Sequence, residues 1–347
     1  MLVKTFLTGK HTKMKINRFD DFTKLREIVL GDVNYSPLSL IKDQNDRDFM
    51  RHVLDETKSS LTNLEQIFKK FDIKVWRPEV FEHTEKTNIG TPYAKVDSVY
   101  TSLTSYDNFL TIADTIVEMS PANVPLSTFD YVQYQHIWKE KFDEGSRWIS
   151  MPRPSYNEFK IDEFEDISNF EPYADAPSLI LLGDTVFVAE RYMLNKLGMD
   201  WLKREFPQFK FRVLKDTNGH LDSYFNVVKP GLALSGIQKD KLPSEFKNWE
   251  IIQFDKESYK DVSMISDYFQ DDDYENTTLA VNVISIDPDN IVMYKHVIDN
   301  NVEKIRNIEK QGVNVIPLEL NVSRWLNQGL HCFCNPLVRD GGFENYL

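Results

Sequence analysis

Both cysteines of this 347-residue chain, Cys332 and Cys334, fall in its last sixteen positions, inside "LNQGLHCFCNPLVRDGGFENYL" (326–347). Thiols placed this way could form a metal clip, a redox pair, or one nucleophile with a bystander. Zinc takes four ligands at characteristic spacings, and this segment supplies two sulfurs with only His331 nearby. Two cysteines make no disulfide framework either, and nothing suggests an oxidising compartment.

A base and several carboxylates stand elsewhere at comparable positions. In "DTNGHLDSYF" (216–225), His220 and Asp222 are two apart at the mouth of a predicted strand. Side chains at i and i+2 of a strand share a face, so both would look into one space. Taken alone the pair reads first as an ordinary loop with a satisfied histidine; Gly219 beside it hints at a close approach of backbone, although glycine before a strand is common. In "FEPYADAPSLILLGD", Asp175 precedes a strand and Pro177 stops any helix, which an Asx-turn would also explain. Asp107 stands in the same place ahead of its own hairpin. "QDDDYEN" (270–276) reads as a solvated loop and "VSRWLNQG" (322–329) as a helix end. His11, His52, His83, His136 and His296 show no partner spacing and read as structural or surface residues.

The elements that must position these residues repeat. Residues 107–119, 178–190, 222–235 and 278–294 each read as a β-hairpin, turning at Ala113-Asp114, Gly183-Asp184, Pro230-Gly231 and Asp287 to Asn290. Helical or irregular sequence follows each hairpin, and then another β-run: "RWISM", "KFRVL", "EIIQF" and "VNVIPLEL". "LREIVLGDV", a helix near 46–70 and "IKVWRP" make a partial fifth copy. The chain is therefore read as α/β, about five tandem ββαβ units packed in a ring or solenoid. An α+β protein with unrelated hairpins is the alternative. No Pro/Gly/Ser-rich linker interrupts the units, so residues 16–347 are taken as one domain behind a flexible leader at 1–15. If the units are symmetry-related, their first strands converge on an axis. Asp107, Asp175, Asp222 and the cysteine segment then share one cavity, where acids hold a cation, the histidine moves protons and a thiolate attacks.

Composition limits the partners. With 41 Lys+Arg against 54 Asp+Glu, the net charge of −13 argues against nucleic acid or an anionic membrane and favours cationic small substrates. At 41% hydrophobic and 13% aromatic residues the chain can build a sizeable core. No apolar run reaches the length of a membrane span, and the N-terminus lacks the apolar stretch of a signal peptide and the Arg/Ser bias of a transit peptide. A cytoplasmic location is expected.

Together, "EPYADA", "GHLDSYFNVVKPGLALS" and "GLHCFCNPLVRDGGFENYL" resemble the L-arginine:glycine amidinotransferase family, which includes inosamine-phosphate amidinotransferases. The likeness runs upstream through "LREIVLGDV", "VWRPEV" and "SYDNFLTIADTIVEMSPA", covering the chain from about Lys15. The resemblance implies a five-fold pseudosymmetric α/β propeller of ββαβ modules. It implies Cys332 as nucleophile, His220 as catalytic histidine, Asp175 as its partner, and Asp107 and Asp222 as guanidinium-binding carboxylates. The substrates implied are arginine and an acceptor amine, with no cofactor or metal and a possible homodimer.

The chain departs from the family's pattern in three places. Lys239 stands where the family has an arginine for the donor's carboxylate, and Glu275-Asn276 stand where it has paired serines. Gly219 replaces a bulky residue of the glycine-specific enzyme, which points to a larger acceptor. An arginine deiminase-like hydrolase giving citrulline, from the wider guanidine-modifying superfamily, would use the same residues. A non-catalytic guanidine-binding protein is the third reading.

Overall fold

A computed structural model describes residues 13–81, 87–90, 95–98, 102–120, 130–152, 172–191, 194–254, 280–319 and 328–347. In chain order the first elements are β1 (Leu25–Leu30), α1 (Gln44–Lys70) and β2 (Lys74–Trp76), followed by a two-stranded hairpin of β3 (Thr87–Gly90) and β4 (Lys95–Ser98). A one-turn helix, α2 (Ser105–Asn108), enters β5 (Phe109–Ile112), which is followed by β6 (Thr115–Glu118), α3 (Gln135–Asp143) and β7 (Arg147–Ser150). Next come β8 (Leu179–Leu182), β9 (Thr185–Arg191), α4 (Lys196–Glu205) and β10 (Lys210–Asn218). Then β11 (Phe225–Lys229), β12 (Leu232–Ser235) and β13 (Glu250–Gln253) follow. Last are β14 (Ile284–Asp287), β15 (Asn290–Tyr294), α5 (Lys295–Asn300), α6 (Val302–Lys310), β16 (Asn314–Leu318) and β17 (Cys334–Arg339).

Besides the β3–β4 hairpin, the described strands form five three-stranded sheets of one connectivity. In each, a first strand pairs antiparallel with a second, and the second pairs parallel with a third across a connection. Four hairpins close over two residues, with Ile112 opposite Thr115, Leu182 opposite Thr185, Lys229 opposite Leu232 and Asp287 opposite Asn290. The first three carry a left-handed residue in the turn, Ala113 (φ 52°), Gly183 (φ 65°) and Gly231 (φ 86°). The third unit has no α-helix in its crossover, only short 3-10 turns at Lys239–Lys241 and Ser244–Phe246.

Among the described residues, the opening segment has no first strand of its own. The C-terminal β17 supplies it, pairing antiparallel with β1 from Leu30 opposite Cys334 to Leu25 opposite Arg339. The two ends of the chain therefore complete one sheet, and the strand after the cysteines is pinned to the strand nearest the N-terminus.

First strands are buried on both faces. Leu179 and Leu181 pack with Leu110, Ile112 and Val117 of the preceding sheet, while Ile180 and Leu182 pack with Phe225, Val227 and Ala233 of the following one. Strand alternation thus feeds two cores from one strand, each buried apolar side chain contributing roughly 1.5–3 kcal/mol. Helix α1 covers the sheet that joins the two ends. Its Asp43 cap accepts from the Asn45 and Asp46 amides, and Val53, Leu61, Leu64 and Phe68 are buried.

Residues 1–12, most of the segment expected to be a leader, lie outside the described residues. Met14 and Lys15 are held: the Met14 carbonyl accepts from Lys141, and Lys15 pairs with Asp114 at 3.3 Å. No described helix is long and apolar enough to cross a membrane.

Candidate active site

The candidate residues occupy the turns that enter first strands. Asp107 lies in α2, ahead of β5. Asp175 caps the 3-10 turn Ala176–Ser178, ahead of β8, and His220 caps the turn Leu221–Ser223, ahead of β11. Cys332 lies in the turn His331–Phe333 that enters β17. These turns touch: α2 meets the turns at 331–333 and 176–178, and the latter meets the turn at 221–223.

A carboxylate oxygen of Asp107, a ring nitrogen of His220 and the sulfur of Cys332 lie within 4.8 Å of one another. Asp175 Oδ2 backs the histidine, 3.3 Å from Nε2. A thiophilic metal ion could share such donors, and so could a planar cation with an electrophilic carbon at its centre.

Asp222 is placed differently from the expectation. The strand begins only at Phe225, so His220 and Asp222 sit on a 3-10 turn where strand alternation does not apply. Asp222 Oδ2 pairs with Nδ1 of His331 at 3.0 Å, both side chains buried. His331 Nε2 is buried with no hydrogen-bond partner among the described residues, and the ring stands edge-on to Tyr106 at 4.2 Å between centroids. The Tyr106 hydroxyl accepts from Arg18, which also donates to Asp21. Sequence reasoning noted His331 only as a neighbour of the cysteines. Its place directly before Cys332 was the one available signal, and Arg18, Asp21 and Tyr106 had none.

The cluster's charges perturb one another. Burial, with Asp222 and Asp175 adding repulsion against the opposing effect of His220, pushes the Asp107 carboxyl up to about 7. For His220 burial works downward, but the Asp175 hydrogen bond and the charges of Asp107, Asp175 and Asp222 prevail and raise it to about 9. Burial, then Asp107 and Asp222, hold the Cys332 thiol well above its usual range, opposed by backbone N–H groups of Gly329 and Cys332. Cys334, fully buried in the apolar core against Leu30, is pushed far up by burial.

Gly219 adopts φ +126°, and a Cβ built there meets no described atom within 4 Å. Phe225 packs on Phe246, with ring centroids 5.0 Å apart. Tyr274, Glu275 and Asn276 lie outside the described residues. Glycine here has a backbone reason as well as a spatial one, since L-residues rarely adopt this φ. Lys239 is exposed on its 3-10 turn and its ammonium donates to the Trp249 carbonyl at 3.3 Å.

No family model matches the chain. It is similar to the mitochondrial glycine amidinotransferase of Xenopus laevis, 24% identical over 370 residues that cover 95% of this chain and 84% of the relative. With inosamine-phosphate amidinotransferase 1 of Streptomyces glaucescens it shares 25% identity over 304 residues, covering 85% of this chain and 83% of the other. Among solved structures, an amidinotransferase of Microseira wollei in the saxitoxin biosynthetic pathway superposes with a TM-score of 0.77 at 19% identity, covering 96% of this chain and 99% of the other.

Proposed function

We propose for this chain, a member of the amidinotransferase family and so an enzyme that transfers amidino groups, a two-step reaction on L-arginine through an amidino-thioether on Cys332. The observation that carries this reading is the meeting of Asp107, His220 and Cys332 within 4.8 Å, with Asp175 behind the histidine. In this reading the five sheets are the blades of a single-domain α/β propeller, and the turns entering their first strands surround its axis.

A guanidinium is planar and stays protonated, so its central carbon needs a strong, aligned nucleophile. Asp107 has a buried Oδ1 with no hydrogen-bond partner among the described residues, an acceptor for an N–H of the group. Asp222, already bonded to His331, adds its charge to the same cluster. The arriving cation favours the ionised form of Asp107 and relieves the repulsion that Asp107 and Asp222 impose on a thiolate. Donor binding thus activates the nucleophile.

The Cys332 thiolate attacks the guanidinium carbon, and the bond from that carbon to the side-chain nitrogen breaks. His220, protonated at neutral pH, gives its proton to the departing amine, releasing ornithine. Asp175 holds the ring through the exchange. The acceptor amine then attacks the same carbon, neutral His220 takes its proton, and the carbon–sulfur bond breaks to restore the thiolate. Lys239, Glu275 and Asn276 are proposed for the donor's polar end. The open space beside Gly219 is proposed for an acceptor larger than glycine.

The test is incubation with arginine and a panel of amines, followed by mass spectrometry. Amine-dependent ornithine and new guanidino products are expected. Citrulline formed at full rate without any amine would replace the transferase reading with a hydrolase.

A further inference from the structure

Four of the five sheets contribute site residues from the turn entering their first strand, and the fifth entry carries a residue of another kind. Asn282 lies two positions before β14, as Asp107 lies two before β5 and Cys332 two before β17. It is fully buried. Its Oδ1 accepts from the backbone N–H of His331 at 2.5 Å, and its Nδ2 donates to the Asp222 carbonyl at 3.4 Å. One orientation of the amide satisfies both bonds. The Asn282 side chain also lies against Gly329, where an added Cβ would fall 2.1 Å from its Cγ. This φ is unremarkable, so Gly329 is small because Asn282 occupies the space.

The segment held in this way carries the sulfur and the N–H groups that act on it. The N–H groups of Gly329 and Cys332 favour the ionised thiol, and Asn282 touches this loop at Gly329 and at His331. A neutral amide suits the position. A carboxylate would add to the three already present, Asp107, Asp175 and Asp222, and a cation would oppose the guanidinium.

We propose that Asn282 is a positioning residue that clamps the 329–332 loop, keeping the Gly329 and Cys332 amides aimed at the Cys332 sulfur. The proposal rests on the reading of Cys332 as the nucleophile. It accounts for the pairing of a buried amide with a glycine that has no conformational need to be one.

The test is the pH dependence of iodoacetamide alkylation, followed on the Cys332 peptide by mass spectrometry so that Cys334 is counted separately. Asn282→Ala is expected to slow alkylation at neutral pH about tenfold and to move its midpoint upward. Gly329→Ala, which forces the amide aside, should do the same. In the double variant the added methyl finds room, so it should alkylate no more slowly than Asn282→Ala alone. Additive losses in the double variant, or a wild-type profile in Asn282→Ala, overturn the proposal. Should Asn282→Ala fail to fold by circular dichroism, Gly329→Ala decides alone, and a wild-type profile there is the overturning result. Alkylation needs neither arginine nor acceptor, so absence of amidino transfer in the wild type would end the functional reading without touching this one.

Discussion

Asp175 Oδ2 lies 3.3 Å from Nε2 of His220, so a histidine whose side chain is 26% exposed is backed by a carboxylate side chain only 5% exposed. The two meet across 45 residues of sequence because each caps the turn entering a neighbouring sheet. The partly open face of the ring is left for substrate and the closed face for its partner.

This pairing sets a pH window. His220 serves as an acid only while protonated, below about 9, and Asp107 holds a guanidinium only once ionised, above about 7. The Cys332 thiol must lose its proton as well, and burial with Asp107 and Asp222 holds that proton well above the usual range. The kcat/KM for arginine should therefore climb with pH through about 7 and bend again near 9, where the free enzyme gives up the His220 proton, both bends belonging to the coupled cluster. Asp175→Asn removes a bond and a charge that raise His220, so the upper bend should move to lower pH. An upper bend unmoved in that variant would assign it to another group.

Cys332 and Cys334 are two residues apart but differ in surroundings. Cys332 faces Asp107 and His220, while Cys334 is fully buried in the core on β17. Removing a covalent nucleophile typically costs orders of magnitude in rate. Cys332→Ala should be inactive, and Cys334→Ala should keep most activity while losing about 1 kcal/mol of stability to the small void. Ornithine release and thermal unfolding of both variants check this. The reverse order of activities would move the nucleophile.

Legibility in the sequence followed the range of the interaction. The hairpin tips at Ala113-Asp114 and Gly183-Asp184 were readable because turn chemistry is local. The unit at the start of the chain was only half readable, since its first strand comes from Cys334–Arg339 at the other end. His220 and Asp222 were expected to share a strand face, yet the backbone forms a 3-10 turn there and Asp222 turns to His331, 109 residues away. Asn282, within "AVNV", has no local signature; only the repeat of entry turns exposes it.

Asp107 should trade stability for function. Its folded pKa is raised above the usual carboxylate value, so the folded state keeps a proton that the unfolded chain gives up. Stability is therefore lost as pH rises from about 4 to about 7, and the deficit persists above that range. Asp107→Asn should be inactive yet more stable than the wild type at pH 8, by about 2 kcal/mol, with little difference at pH 4. Chemical denaturation at both pH values measures the effect. A variant less stable than the wild type at pH 8 would mean that the favourable contacts of Asp107 with His220 and Thr104 outweigh the cost of its burial.

Gly219 connects acceptor choice to backbone conformation. The space beside it and the absence of a described atom within 4 Å of an added Cβ favour acceptors longer than glycine or bearing a ring. A methylene or two of room is worth about 1–3 kcal/mol of discrimination, enough to reorder acceptors without changing the chemistry. Direct competition at equal concentration should favour the larger amine in the wild type, and a win for glycine would sink the argument from space. Enlarging position 219 is a separate experiment, because φ +126° strains any L-residue there and adjoins His220. Gly219→Ala should therefore slow the release of ornithine in the first turnover, before any acceptor is involved, as well as the second half-reaction. If only the second step slows, the glycine is there for the acceptor's room and the backbone tolerates a side chain after all.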